Sequence, residues 1–397
     1  MEIAGTGVLP AQWLERALDE EVIDSPVYRI TKDALQPASL DLRLGEQAYR
    51  LQCSFLPGSK TVEERLQDFV MDEFDLRDGG VLEQNRPYLV PLLEELNLPP
   101  DVRARANPKS STGRLDVFTR VITDGGRAFD DIRGGYKGKL WLEIVPLSFT
   151  VRVQTRLSLN QLRLVAGDAR CSDQEVRDMH RRTPLLYRHD VPLPETDLRV
   201  SGGGIFLSLD LIPDADGVIG YRAKHNSHLV DMRSHQHDPA QYWELVRAEH
   251  GGLVLEPEDF YLLMSREAVR VPPLVAGEMT AYDPTNGELR THYAGFFDPG
   301  FGHEADGPSR GTRAALEVRA HDVPFLIEAG QPVCKLVFER MLEEPSRLYG
   351  EDIGSSYQGQ MTTLGKHFLG GSPEPGSGPG RRSSLQGFDG GGEDASR

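Results

Sequence analysis

The chain has 397 residues, 39% of them hydrophobic and 8% aromatic, with a formal net charge of -17 at pH 7. That length accommodates two cores of ordinary size, since domains run to about 100–200 residues. The charge argues against general nucleic-acid binding, which needs surplus Lys and Arg to neutralise phosphates, and no apolar run approaches the ~20 residues of a membrane helix.

Residues 1–21 lack the basic end and apolar core of a signal peptide, so a cytoplasmic address is expected. Within them, Trp13, Leu14, Ala17, Leu18 and Val22 have the spacing of a short amphipathic helix over about 10–21. Next, Leu40, Leu42 and Leu44 alternate with polar residues as a half-buried strand requires. Further short alternating runs fall at 88–93, 117–122, 139–145 and 150–153, punctuated by Gly and Pro. They predict a mainly β chain, an all-β barrel or sandwich, in place of βαβ units. Cys53, Cys171 and Cys334 are odd in number and far apart, which argues against a disulfide framework or a CxxC metal clip and predicts buried thiols.

Internal repetition is the most informative pattern. Ser39-Leu40-Asp41 recurs as Ser208-Leu209-Asp210, 169 residues on; the Gly79-Gly80 stretch recurs at Gly251-Gly252, an offset of 172; and Leu140-Trp141-Leu142-Glu143 recurs as Ala314-Ala315-Leu316-Glu317, an offset of 174. Nearly constant offsets predict a duplicated domain. Copy one is expected over 1–167, a charged connector over 168–200, copy two over 201–368, and a Gly-, Ser- and Pro-rich disordered tail over 369–397.

Four groups of residues are candidates for chemistry. Between residues 101 and 139 nine Lys/Arg face five Asp/Glu, a local surplus of cations in an acidic chain. Inside that patch Lys109-Ser110-Ser111-Thr112-Gly113-Arg114 joins small hydroxyl residues to two cations, a composition able to cradle phosphate oxygens. Asp298-Pro299-Gly300 is a turn leading toward Glu317, an acid between Leu316 and Val318 whose burial would lift its pKa toward that of a general base. Tyr349, Ser356, Tyr357 and Gln360 lie on a polar segment able to close over a ligand. His225, His228, His235 and His237 invite a zinc reading, but they lack thiolate partners and finger spacing, so an insertion loop is expected and no metal site.

Together these motifs resemble the dCTP deaminases of the trimeric dUTPase superfamily, in their long, duplicated form. Pro37 through Gly45 is similar to the family's early strand motif, and Lys109 through Arg114 to its Arg-Ser-Ser-x-x-Arg loop. Ala294 through Phe301 resembles its Ala-x-x-x-Asp-Pro-Gly-aromatic segment, and Gly330-Gln331 its Gly-Gln strand. Each copy lacks what the other keeps: copy one has Arg133-Gly134-Gly135-Tyr136 in place of Asp-Pro-Gly-aromatic, and copy two has no Ser-Ser-Arg loop. A composite pocket between copies follows.

The resemblance implies two tandem dUTPase-like distorted β-barrel domains with short helices, and hydrolytic deamination of dCTP to dUTP and ammonia. It implies Glu317 as catalytic acid and base, with Glu143 as second candidate; phosphate and base contacts from Lys109, Ser110, Ser111 and Arg114; Asp298 on the deoxyribose 3'-hydroxyl; and Ala294, Tyr349, Ser356, Tyr357 and Gln360 at the nucleotide. Ser356 stands where simpler relatives often carry Lys. No protein-bound cofactor is implied, and Mg2+ enters with the triphosphate. A homo-oligomer is implied, most simply a trimer of two-domain chains. The rival readings are a dUTP pyrophosphatase, a bifunctional deaminase, and a non-catalytic nucleotide-sensing protein.

Overall fold

A computed structural model describes residues 1–248, 251–281, 289–291, 295–303, 310–320, 322–350, 357, 359–360 and 362–371. Of the tail expected over 369–397, residues 369–371 are described and hydrogen-bonded, Leu369 N–H to His237 O at 2.9 Å and Gly371 N–H to Phe368 O at 3.0 Å; the rest, together with Ala294 and Ser356, lies outside the described residues. The chain is mainly β, and the two halves repeat one pattern of strand pairing. In the first half Lys137–Pro146 lies antiparallel between Tyr88–Asn97 and Val117–Thr123; in the second, Thr312–Ala320 lies between Phe260–Val269 and Leu289–Thr291. Likewise Ser158–Ala166 pairs with Leu40–Arg43 and Val102–Pro108, and Pro332–Arg340 with Gly204–Asp210 and Val275–Ala281. Even the small two-strand ladders recur, Gly80–Leu82 with Val151–Val153 and Gly252–Leu255 with Phe325–Glu328.

The amphipathic spacing near the N-terminus forms the helix Ala11–Asp19, which buries Ala11, Leu14 and Ala17. Leu40–Arg43 departs from the half-buried expectation: Asp41 and Arg43 are buried as well. Their face is closed by ion pairs, Lys109 on Asp41 and Arg43 Nε on Glu94 at 2.6 Å, which is how a charged strand face tolerates burial.

Residues 168–200 are not a free connector. They carry the helix Asp173–Arg182, capped reciprocally by Ser172 and Glu175, and the strand Leu186–Arg188, which pairs with Phe260–Val269. Val176, Leu185, Leu186, Leu193 and Leu198 sit in the second core. The helix thus begins the second half as Ala11–Asp19 begins the first, and its charged outer face disguised it in the sequence. Cys171 and Cys334 are buried as expected, but Cys53 is exposed, because its short segment after Gln47–Leu51 lies at the surface.

The histidine run is built against the first half. Val230 lies parallel to Val151, and Met232, Tyr242 and Trp243 enter the first core with Phe368 from the end of the described chain. His237 packs between Tyr242 and Phe368, with ring centroids 5.4 and 6.1 Å away, and His235 stacks on His367 at 6.2 Å. Among the described residues no three His, Cys, Asp or Glu converge as a metal site would require. No described helix is long and apolar enough to cross a membrane.

Candidate active site

A pocket of about 260 Å³ opens where the halves meet. The first half lines it with Asp41, Lys109, Ser110, Ser111, Arg114 and Gln161; the second contributes Phe296, Asp298, Ala315, Tyr349, Tyr357, Gln360 and Lys366. Of the candidates expected from sequence, Lys109, Ser110, Ser111, Arg114, Asp298, Tyr349, Tyr357 and Gln360 therefore meet on one wall system within one chain.

The Lys109–Arg114 stretch is one helical turn, not an open loop, spanning Ser110–Gly113 at the end of the strand Val102–Pro108. Gly113 N–H donates to Lys109 O at 3.0 Å and Arg114 N–H to Ser110 O at 3.0 Å. Thr112 Oγ1 anchors the turn to Leu159 O at 2.8 Å. Arg114 then enters the interior, 2% exposed. One guanidinium nitrogen donates to the carbonyls of Thr363 and Leu364, both at 3.2 Å, and another to Gln360 Oε1 at 2.6 Å. Its plane stacks on Tyr357 with the guanidinium carbon 3.8 Å from the ring centroid. An arginine from the first half thereby clasps the closing segment of the second.

Asp298 is held from the opposite side by the same kind of exchange. Arg163, 0% exposed, donates to Asp298 Oδ1 at 2.9 Å and to Gly277 O at 3.1 Å, and its guanidinium lies 3.9 Å from the Phe296 centroid. Ser39 Oγ donates to Oδ2 at 3.1 Å. Burial raises the Asp298 carboxyl above its ordinary value, against the opposing pull of Arg163. Gly300, at φ +97, allows the close approach of the closing segment: a Cβ there would sit 2.7 Å from Tyr349 N. That segment is tied down by Tyr349 N–H on Pro299 O at 2.8 Å.

Glu317 is not among the residues lining the pocket, but the lining residue Arg114 acts on it electrostatically. On Thr312–Ala320 the residues Ala314, Leu316, Val318 and Ala320 face the second core, so Ala315, Glu317 and Arg319 share the other face by strand alternation. Ala315 lines the pocket, and Arg319 ties this face to Asp116 of the first half. Glu317 is 5% exposed, and burial pushes its carboxyl up to about 7, with the Arg114 charge opposing the shift. A carboxyl at that value gives and takes protons near neutrality.

Glu143, the corresponding acid of the first half, is placed differently. It is 0% exposed, and Arg120 Nε donates to its Oε1 at 3.0 Å. The Arg120 guanidinium is sandwiched by Phe129 at 3.7 Å and Phe118 at 4.7 Å, filling the space in front of the acid. Glu143, like Glu317, is not among the residues lining the pocket, but its partner is Arg120, whereas Glu317 feels the lining Arg114.

Sequence reasoning missed Arg163, Ser39, Asp41 and Lys366. A signal existed for three of them: Ser39 and Asp41 belong to the repeated Ser-Leu-Asp anchor, and Arg163 in the middle of the otherwise apolar Leu162, Leu164, Val165 run marks a buried ion pair. Nothing in the sequence singled out Lys366.

Comparison with known proteins agrees with this geometry. The family model for the 2'-deoxycytidine 5'-triphosphate deaminase N-terminal domain matches residues 5–168, and that for the C-terminal domain matches 172–368. The crystal structure of 2'-deoxycytidine 5'-triphosphate deaminase from Agrobacterium tumefaciens superimposes with a TM-score of 0.80 at 46% identity, covering 86% of this chain and 100% of that one. A dCTP deaminase of Halorubrum lacusprofundi is 30% identical over 142 residues, 34% of this chain and 64% of its own length. A "dCTP deaminase, dUMP-forming" of Methanosphaera stadtmanae is 28% identical over 149 residues, 34% of this chain and 67% of its own length. The match thus spans just under two thirds of the Halorubrum relative. With both halves matched in order and the Agrobacterium structure covered end to end, the chain belongs to the dCTP deaminase family.

Proposed function

We propose that this protein hydrolytically deaminates dCTP to dUTP and ammonia, supplying dUMP and dTTP synthesis in the cytoplasm. The observation that carries the reading is Glu317, buried within the influence of Arg114, a pocket-lining residue of the other half, with its carboxyl pushed up to about 7. Glu317 accepts a proton from water as the oxygen bonds to C4 of cytosine, and returns it to N3. A second transfer, from the new hydroxyl to the amino group, breaks the C4–N bond; ammonia leaves and the C4 carbonyl of uracil remains. Asp298, anchored by Arg163 and Ser39, keeps an oxygen available to accept from the deoxyribose 3'-hydroxyl. Lys109, Ser110 and Ser111 hold phosphate oxygens, and Mg2+ arrives as part of the substrate. Arg114 orients the base by clamping Tyr357 and Gln360 over it. Ala294 and Ser356, assigned to nucleotide contacts by resemblance, lie outside the described residues.

The test is ammonia release from dCTP, dCDP, dCMP and CTP with Mg2+, with the products separated. dUTP without dUMP is expected. Formation of dUMP would favour the bifunctional reading, which the dUMP-forming Methanosphaera relative brings into consideration. Nucleotide binding without ammonia would leave only a sensing role.

Glu143 takes no part in this reading. Glu143→Gln is expected to leave turnover within about twofold while lowering stability by roughly 1–3 kcal/mol, because Arg120 loses its carboxylate. A dead Glu143→Gln enzyme of normal stability would move the catalytic role to the first half. A homo-oligomer, most simply a trimer of two-domain chains, is part of the same proposal. Light scattering that returns a monomer rejects it.

A further inference from the structure

The cations that line the pocket are not equally available to a ligand. Arg114 already gives its terminal nitrogens to Thr363, Leu364 and Gln360. Lys109 Nζ is paired with Asp41. Lys366 lines the same pocket from the closing segment, half-buried, and forms no ion pair among the described residues. Its backbone is fixed: the N–H donates to Tyr357 Oη at 3.3 Å, and the neighbouring Phe368 is locked in the first core. The side chain therefore projects from a pinned backbone and does not belong to a free end.

We propose that Lys366 is the second cation of the triphosphate end of the pocket, gripping substrate phosphates opposite Lys109. The inference rests on the nucleoside triphosphate reading above. A substrate carrying several negative charges needs more positive charge than the Lys109–Asp41 pair provides, and Lys366 is a lining cation that forms no ion pair among the described residues and whose ammonium, unlike the Arg114 guanidinium, is not given to neighbouring carbonyls in the hydrogen bonds described. With the pocket empty, Lys366 and Lys109 repel: burial and the Lys109 charge both hold the Lys366 ammonium below its ordinary pKa, against the pull of Asp41. An anion between the two lysines turns that repulsion into a joint attraction.

The experiment compares wild type, Lys366→Met and Lys366→Arg. Calorimetry measures binding of dCTP, dCMP and inorganic tripolyphosphate with Mg2+, and steady-state assays measure ammonia release. Lys366→Met is expected to weaken dCTP and tripolyphosphate binding about tenfold or more, the effect of one charge-assisted hydrogen bond. It should raise KM for dCTP far more than it lowers kcat and leave dCMP binding unchanged. Lys366→Arg should restore most of the loss, and unchanged melting temperatures for both variants would exclude a folding effect. Wild-type-like binding of dCTP and tripolyphosphate by Lys366→Met overturns the proposal, as does an equal loss for dCMP. If wild type releases no ammonia from any nucleotide, the deaminase reading fails, and the tripolyphosphate measurement still decides the role of Lys366.

Discussion

Glu317→Gln is expected to lower turnover on dCTP by about 10²–10⁴-fold, the usual contribution of a positioned general acid and base, while dCTP still binds. The substitution keeps the shape and removes the proton carrier. It also has a second readout that a merely structural residue would not share. The Glu317 carboxyl is raised from 4.5 to about 7 in the fold. Below pH 4.5 the acid is neutral folded and unfolded. Between 4.5 and 7 the unfolded chain ionises it and the folded chain does not, so its contribution to stability falls as pH rises, and levels off above 7. At about 1.4 kcal/mol per pH unit, the cost of this acid at pH 8 is on the order of 3 kcal/mol. The inactive variant should therefore be more stable than wild type at pH 8, and the difference should vanish near pH 4.5. Chemical denaturation at the two pH values measures it. An active variant removes Glu317 from the mechanism, and one that is no more stable at pH 8 means that burial does not raise its carboxyl.

The second large effect is expected at a residue remote from the reacting atoms. Arg163→Met takes away a guanidinium that is 0% exposed and leaves Asp298 buried with Ser39 as its remaining partner. Breaking a buried pair from one side costs about 3–5 kcal/mol, because the surviving charge stays out of water. The double variant Arg163→Met with Asp298→Asn should recover much of that stability while remaining poor in dCTP affinity, since the sugar contact is gone. Denaturant midpoints and KM values for the two single variants and the double variant separate these effects. A loss below about 1 kcal/mol for Arg163→Met would mean that the pair does not hold the halves together.

Much of this architecture was legible in the sequence because duplication leaves a periodic trace. Ser39-Leu40-Asp41 and Ser208-Leu209-Asp210 gave the repeat, and the strands they anchor do pair alike in the two halves. The division of motifs between copies, Lys109 to Arg114 in one and Asp298 with Glu317 in the other, predicted a composite pocket; Lys109, Ser110, Ser111, Arg114 and Asp298 do line one pocket between the halves, while Glu317 is buried outside its lining. The helix Asp173–Arg182 was read as a connector because its buried side is narrow, Val176 and His180, beneath a highly charged surface. Arg120 against Glu143 was equally illegible. Their pairing across neighbouring strands, and the closure of two phenyl rings over the guanidinium, depend on register, which a residue list does not contain. Lys366 escaped for a similar reason: its place in the pocket comes from Phe368 docking in the core of the other half.

The Arg120–Glu143 pair also bears on what this chain can lose. At the position of the first half that matches Glu317, the acid carries a counter-ion with an aromatic neighbour and serves as an internal strut. Reopening that site by single substitutions passes through a variant with an unanswered buried charge, Glu143 without Arg120 or Arg120 without Glu143. The acid of the first half is thus committed to support, and under the proposed mechanism Glu317 has no counterpart within the chain that could mask its loss.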